Sequence, residues 1–245
     1  MKSYFILIVA AALSGYFEPS MSKLQAQTLD LKGAWQTELR GNQITMICSQ
    51  QYFSVSIYDF QNKKFEGTHG GSYKVEGNEL IALIEFHSMN PELVGNVIRS
   101  RIDLQNNTLT VNTRSEMVPW KQIDDGTPGQ LAGAWFITGR IRNGQMGKMN
   151  PGARRTMKIL SGTRFQWIAY NVETKEFSGT GGGSYTSEGG KYAESIEFFS
   201  RDSSKVGQTL NFDFSLNDGN WQHKGLSSKG EAIDEVWAKR EKLGL

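Results

Sequence analysis

The chain has 245 residues, of which 27 are basic and 25 acidic, so its formal net charge at neutral pH is only +2. This near-neutral balance argues against nucleic acid or an anionic membrane as the main partner. Cys48 is the only cysteine, which excludes an internal disulfide and leaves packing to stabilise the fold.

The first 27 residues have the layout of a secretory signal peptide. Lys2 precedes an apolar run over residues 4–13, and small and polar residues follow as far as Gln27. The run is too short to span a bilayer, and no later stretch approaches twenty apolar residues. We therefore expect an exported protein, periplasmic or extracellular, without a transmembrane anchor.

The remainder consists of two copies of one unit. Residues 64–73 (KFEGTHGGSY) recur as residues 176–185 (EFSGTGGGSY), and residues 84–88 (IEFHS) recur as residues 196–200 (IEFFS), in both cases 112 positions later. Each copy is long enough for its own core. The repeat predicts one domain over residues 28–123, a linker over residues 124–130 and a second domain over residues 131–245.

Short alternating stretches predict strands in both copies. Leu31, Gly33, Trp35, Thr37 and Leu39, for example, recur with the two-residue period of a half-buried strand. About eight such stretches, separated by turn signals and without an amphipathic helix pattern, occur in each copy. They favour a closed barrel, which leaves no exposed sheet edge. The predicted fold is all-β, with two tandem antiparallel up-and-down β-barrels of about eight strands each.

The repeated glycine-rich stretch allows two interpretations. Glycines between strand-forming residues are typical of a bulge or a sharp bend. The alternative is a phosphate-cradling loop, but the stretch lacks the lysine and the following helix of a P-loop.

Two pairs of polar residues recur at equivalent positions, Glu85 with Glu197 and Tyr58 with Tyr170. In a strand with simple alternation, the side chain of Glu85 points to the face opposite to that of Ile84 and Phe86. Because those two residues are apolar, this predicts that Glu85 points outward, across from Arg99 or Arg101 on a neighbouring strand. A glutamate inside the barrel would instead have a raised pKa and could serve as a general acid or base.

The second copy differs from the first in two ways. Twelve extra residues fall between Gly139 and Met157 and form a basic, glycine-bearing segment, either a solvated loop or a lid over an anionic ligand. Its presumed inner face is also more aromatic, because Trp167, Phe212 and Phe214 replace Val55, Ser100 and Ile102. Such an interior is either filled or offers aromatic walls to a ligand.

No metal site or catalytic motif stands out in the sequence. His69, His87 and His223 have no second histidine or carboxylate at ligand spacing. Cys48 lies in an apolar alternating stretch, which indicates a buried, inert thiol rather than a nucleophile. We expect no cofactor, no metal and no catalytic residue, and a non-enzymatic protein is the favoured interpretation.

Gly33-Ala34-Trp35 and Gly133-Ala134-Trp135 resemble the Gly-x-Trp signature of the first barrel strand in lipocalins and the wider calycin group. The chain is most similar to lipocalin-like domains of exported proteins from Gram-negative bacteria. The resemblance implies that Trp35 and Trp135 close the barrel floors.

Three functions are compatible with these features. The first is a secreted or periplasmic protein that holds a small apolar or amphipathic ligand in a barrel or in a groove between the barrels. The second is an interaction module with filled barrels and a protein partner, and the third is a barrel isomerase or lyase acting on a carbohydrate or lipid through Glu197 and Tyr170. The candidate ligand-binding residues are Trp167, Tyr170, Phe212, Phe214, Glu197, Arg154 and Arg155.

Overall fold

The computed structural model describes residues 29–112 and 117–245. The predicted signal peptide, residues 1–27, lies outside the described residues. Within them the protein is all-β, with two closed antiparallel eight-stranded barrels in tandem, as the sequence predicts.

Barrel 1 contains eight strands, each antiparallel to the next, and the last strand pairs with the first to close the barrel. The strands are β1 (Gly33–Leu39), β2 (Asn42–Cys48), β3 (Tyr52–Asp59), β4 (Lys64–Glu76), β5 (Glu79–His87), β6 (Val97–Gln105), β7 (Thr108–Asn112) and β8 (Met117–Asp124). A single 3-10 turn, Pro91–Leu93, connects β5 and β6.

Barrel 2 repeats this order and adds one strand. Its strands are β9 (Gly133–Arg142), β10 (Gln145–Lys148), β11 (Arg154–Leu160), β12 (Arg164–Asn171), β13 (Phe177–Glu188), β14 (Lys191–Phe199), β15 (Thr209–Asn217), β16 (Asn220–Leu226) and β17 (Ala232–Lys239). Pairing of β17 with β9 closes the barrel. The additional strand β10 forms a hairpin with the far end of β9, so the basic insertion protrudes as an exposed hairpin.

The two Gly-x-Trp tryptophans have the same structural role. Trp35 and Trp135 are fully buried, and each indole nitrogen donates a 2.8 Å hydrogen bond to a backbone carbonyl oxygen, of Leu31 and Leu131 respectively. Cys48 is also buried, and burial raises the pKa of its thiol, in agreement with an inert cysteine.

The glycine-rich stretches lie in β4 and β13 and form bulges, as predicted. Gly70 pairs with Phe86 and Gly71 with Ile84, so Glu85 is an extra residue in β5. Glu197 is the corresponding extra residue of β14. A Cβ atom on Gly71 would lie 2.0 Å from the carbonyl oxygen of Leu83, so only glycine fits at this position.

The bulges change the direction of the side chains that follow them. Ile84 packs in the core of barrel 1, whereas Phe86 belongs to a separate cluster against barrel 2. The prediction that these two residues share a face is therefore wrong, because an extra residue interrupts the two-residue alternation. Glu85 and Phe86 both face away from the barrel interior.

Hydrogen bonds to one carboxylate hold the joint between the barrels in place. The side chain of Asp124, at the end of β8, accepts hydrogen bonds from the hydroxyls of Ser161 (2.7 Å) and Thr163 (2.6 Å) and from the backbone N–H of Gly162 (3.0 Å). These groups belong to the turn between β11 and β12. The end of barrel 1 is thus attached directly to barrel 2.

Candidate functional site

A buried apolar cluster joins the two barrels. Barrel 1 contributes the first three of its members and barrel 2 the others: Ile47, Tyr52, Phe86, Ala134, Phe136, Met157, Ile159, Ile168 and Tyr170. This cluster places the outer faces of the two barrels in continuous contact.

The recurring tyrosines and glutamates meet across this interface. Tyr170 of barrel 2 donates a 3.2 Å hydrogen bond to Glu85 of barrel 1, and Tyr58 of barrel 1 donates a 2.8 Å hydrogen bond to Glu197 of barrel 2. Each tyrosine ring also packs on the phenylalanine after the glutamate it contacts, at 5.0 Å and 4.8 Å between ring centroids. The two contacts are equivalent, so the barrels are related by an approximate two-fold axis.

The cations around the two glutamates are not equivalent. Glu85 contacts the guanidinium groups of Arg240 (2.6 Å) and Arg155 (3.0 Å), both from barrel 2. The side chain of Glu85 is only 8% exposed, that of Arg240 3% and that of Arg155 14%. Arg240 also lies 3.9 Å from the centre of the Tyr52 ring. Burial opposes the charge of Arg240, but the contact with Glu85 outweighs it and raises its pKa.

Glu197, in contrast, has one cation from its own barrel. Arg164 donates to it from both terminal nitrogens, at 2.7 Å and 2.5 Å, and also to the hydroxyl oxygen of Tyr58 at 3.1 Å. The Glu197 cluster therefore pairs one cation with one carboxylate, whereas in the Glu85 cluster two cations share one carboxylate. Arg240 also donates from Nε to an oxygen of Leu245 at 3.3 Å.

A groove of about 750 Å³ opens beside the Glu85 cluster, between the barrels. Glu85, Arg155 and Arg240 lie at its polar end. Its other side chains are mainly apolar, with Ile81, Leu83, Ile84, Val94 and Val97 from barrel 1 and Val172 and Leu245 opposite them.

Part of the apolar wall is specific to barrel 1. Leu83 and Val97 are cross-strand neighbours and are 39% and 57% exposed. At the equivalent positions, 112 residues later, barrel 2 has the neighbours Ser195 and Thr209. A polar pair satisfies the fold at this place, so the fold alone does not require an exposed apolar pair at Leu83 and Val97.

A smaller cavity, of about 410 Å³, also lies between the barrels. It is bounded by Lys63, Lys64 and Phe65 on one side and by Arg201 and Asp202 on the other. It lacks the apolar wall of the larger groove.

The predicted site residues fall in three places. Arg155 lines the groove, whereas its neighbour Arg154 is exposed at the start of β11. Tyr170 and Glu197 lie in the interface, but in different contacts, one with Glu85 and the other with Tyr58. The aromatic residues Trp167, Phe212 and Phe214 pack in the interior of barrel 2.

Glu85 itself has different partners from those expected. Arg99 pairs with Glu79 at 2.6 Å rather than with Glu85. The sequence does not predict a role in these clusters for Arg240, Arg164 or Tyr52, because nothing in their local sequence links them to a glutamate more than 30 positions away. The only sequence signal was the double recurrence of tyrosine and glutamate.

The described residues contain no group of three or more histidines, cysteines and carboxylates placed to hold a metal ion. Nor does any helix in residues 29–112 and 117–245 have the length and apolar character needed to cross a membrane. No protein-family model matches the chain, and comparison with curated proteins finds no match either.

Proposed function

We propose that the protein is an exported binding protein that holds a small amphipathic molecule with an anionic head group in the groove between its barrels. The observation that supports this most directly is an exposed apolar wall next to two largely buried cations, Arg155 and Arg240, that share one carboxylate. The groove volume of about 750 Å³ is within the usual range for small-molecule sites.

The two ends of the groove suit the two parts of such a ligand. Burial of the exposed portions of Leu83 and Val97 by an apolar chain supplies a favourable transfer free energy of about 25 cal/mol per Å². A carboxylate or phosphate next to Arg155 and Arg240 would give these two cations a second anionic partner and accept hydrogen bonds in a partly buried site, where these are stronger than in water.

Calorimetric titration with dodecanoate, dodecanol and dodecylamine tests both parts. The three probes share one apolar chain and differ in head-group charge. We expect dodecanoate to bind most tightly and dodecylamine most weakly. Equal affinity for the three would refute a role for the Glu85 cluster in head-group recognition.

The double variant Leu83→Ser/Val97→Thr tests the wall, because it installs the residues that barrel 2 tolerates at the same positions. We expect at least a tenfold loss of dodecanoate affinity, equivalent to about 1.4 kcal/mol. Leu226→Ser is the matched control, since Leu226 is 58% exposed but lies outside the groove. Unchanged binding in the double variant would exclude the groove as the site.

A further inference from the structure

The outer face of β4, β5 and β6 forms the floor of the groove. On β5, Ala82 and Ile84 point into the core of barrel 1, so Ile81 and Leu83 point outward. Cross-strand pairing arranges the outward side chains in rows, of which the first is Ser72, Leu83 and Val97, the second Lys74, Ile81 and Arg99, and the third Glu76, Glu79 and Arg101. The whole first row and the first two members of the second row line the groove. The apolar wall is therefore followed by a row that contains two cations.

Barrel 2 lacks these two cations at the equivalent positions. Its second row consists of Thr186, Ala193 and Asn211. Because uncharged side chains satisfy the fold in this row, closure of a barrel does not require Lys74 and Arg99. The two cations are a feature of the face that borders the groove.

Lys74 and Arg99 combine apolar stems with accessible charges. They flank Ile81, which is only 7% exposed although it points outward, whereas their own side chains are 63% and 58% exposed. Long cationic side chains lay their methylene stems along apolar surface and keep their charged ends in water. The row of Ile81 therefore extends the apolar surface that starts at Leu83 and places an ammonium and a guanidinium group at its end.

The carboxylates next to these cations form only exposed ion pairs with them. Lys74 contacts Glu76 at 2.5 Å and Arg99 contacts Glu79 at 2.6 Å, but all four side chains are at least 42% exposed. Exposed ion pairs gain little over the separately hydrated groups, so an anion of a ligand can replace or share these carboxylates. The pairs of the Glu85 cluster, in contrast, are buried.

The two cationic ends are separated by a defined length of apolar surface. Glu85, which contacts Arg155 and Arg240, lies four positions along β5 from Ile81. At about 3.3 Å per residue, the two ends are therefore about 13 Å apart. Leu83 lies midway between them and is exposed, so the interval is apolar.

We propose that the groove binds an extended molecule with an anionic group at each end and an apolar segment between them, such as an α,ω-dicarboxylate. One anion contacts Arg155 and Arg240, the apolar segment covers Leu83, and the second anion contacts Lys74 and Arg99. This inference rests on the binding function proposed above and names the class of ligand. A ligand with a single anionic group would leave one of the two cationic ends without a contact.

Calorimetric titration with dodecanedioate, dodecanoate and octanedioate tests the second anionic contact. Dodecanedioate has a carboxylate at each end of the same chain, whereas octanedioate is too short to reach both ends of the wall. We expect dodecanedioate to bind about two- to fivefold more tightly than dodecanoate, which is the gain of one exposed ion pair, and octanedioate to bind more weakly than either. The preference for dodecanedioate should vanish at 1 M salt, because salt screens exposed charges.

The double variant Lys74→Thr/Arg99→Asn gives barrel 1 the residues of barrel 2. We expect it to bind dodecanoate but to bind dodecanedioate no more tightly. Lys191→Thr/Lys224→Asn is the matched control, because it removes the same charge from exposed positions outside the groove. The control variant should retain the preference for dodecanedioate.

The outcomes separate this inference from the function on which it rests. Equal affinity of the unaltered protein for dodecanedioate and dodecanoate, or a preference retained in Lys74→Thr/Arg99→Asn, would overturn the second anionic contact and leave the groove as a site for a single anion. The same loss of preference in the control variant would also overturn it, since net charge would then explain the preference. Binding of neither probe would refute the proposed function and this inference together.

Discussion

Glu85→Gln tests whether the Glu85 cluster holds the two barrels together. The substitution keeps the shape of the side chain but removes its charge, which leaves the guanidinium groups of Arg155 and Arg240 without their counter-ion in a buried interface. Loss of one partner from a buried pair costs about 3–5 kcal/mol. The amide oxygen still accepts one hydrogen bond, so we expect the free energy of unfolding to fall by about 3 kcal/mol.

Urea unfolding at pH 7, followed by tryptophan fluorescence, measures this change. Glu79→Gln is the matched control, because Glu79 makes an ion pair of similar length with Arg99 at the surface, with 42% and 58% of the two side chains exposed. Its loss is worth less than about 1 kcal/mol. Glu197→Gln should lie between the two, since Glu197 has a single cation and is 19% exposed.

Salt distinguishes buried from exposed pairs. The effect of Glu79→Gln should disappear at 1 M salt, whereas that of Glu85→Gln should persist, because solvent ions screen buried charges poorly. Equal effects of Glu85→Gln and Glu79→Gln would refute the conclusion that the Glu85 cluster is a buried, stabilising part of the interface.

Burial and the neighbouring His87 lower the pKa of His69 to about 4, below the ordinary value of 6.5. As pH falls, the unfolded chain therefore binds a proton before the folded protein does, and the free energy of unfolding should drop by up to about 3 kcal/mol between pH 6.5 and 4. In His69→Phe this drop should be shallower. If urea unfolding gave the same dependence of the free energy of unfolding on pH for both proteins, the expectation would be contradicted. Gly71→Ala should lower the free energy of unfolding by more than about 2 kcal/mol, because the new Cβ atom meets backbone. Gly152→Ala, with open space around it, should be nearly neutral in the same assay. The thiol of Cys48 should resist iodoacetamide in the folded protein and react after unfolding, as mass spectrometry would show.

The barrels could be predicted because apolar and polar residues alternate along many of their strands. Residues such as Phe53 and Val55 alternate with polar neighbours, and the recurrence of most strands 112 positions later, and of the first strand 100 positions later, made the pattern visible twice. The glycine-rich stretches could also be assigned to bulges, since glycines inside strands typically mark a bulge, a sharp bend or the close approach of another backbone.

The direction of Phe86, the partners of Glu85 and the burial of Lys158 show where this reasoning fails. Strict two-residue alternation does not allow for an extra residue, so beyond the bulge it assigns Phe86 to the wrong face of the strand. Lys158 lies two residues before Leu160 in β11 and therefore points into the barrel as Leu160 does. A lysine in a half-buried strand is normally assigned to the solvent face instead. The partners of Glu85 come from β11 and from the turn after β17, and only the docking of the barrels brings them together.

The approximate two-fold axis has a consequence for how the two halves can differ. In a dimer of identical subunits every substitution appears twice, once on each side of the axis. Here the two halves are successive parts of one chain, so an apolar pair at Leu83 and Val97 need not be matched at Ser195 and Thr209. Likewise, Lys158 can be buried in one barrel while Met46 keeps the other free of charge. Because the two barrels belong to one chain, a nearly symmetric pair of barrels can have a groove with an apolar wall on one side of the axis and a charged interior in only one of the barrels.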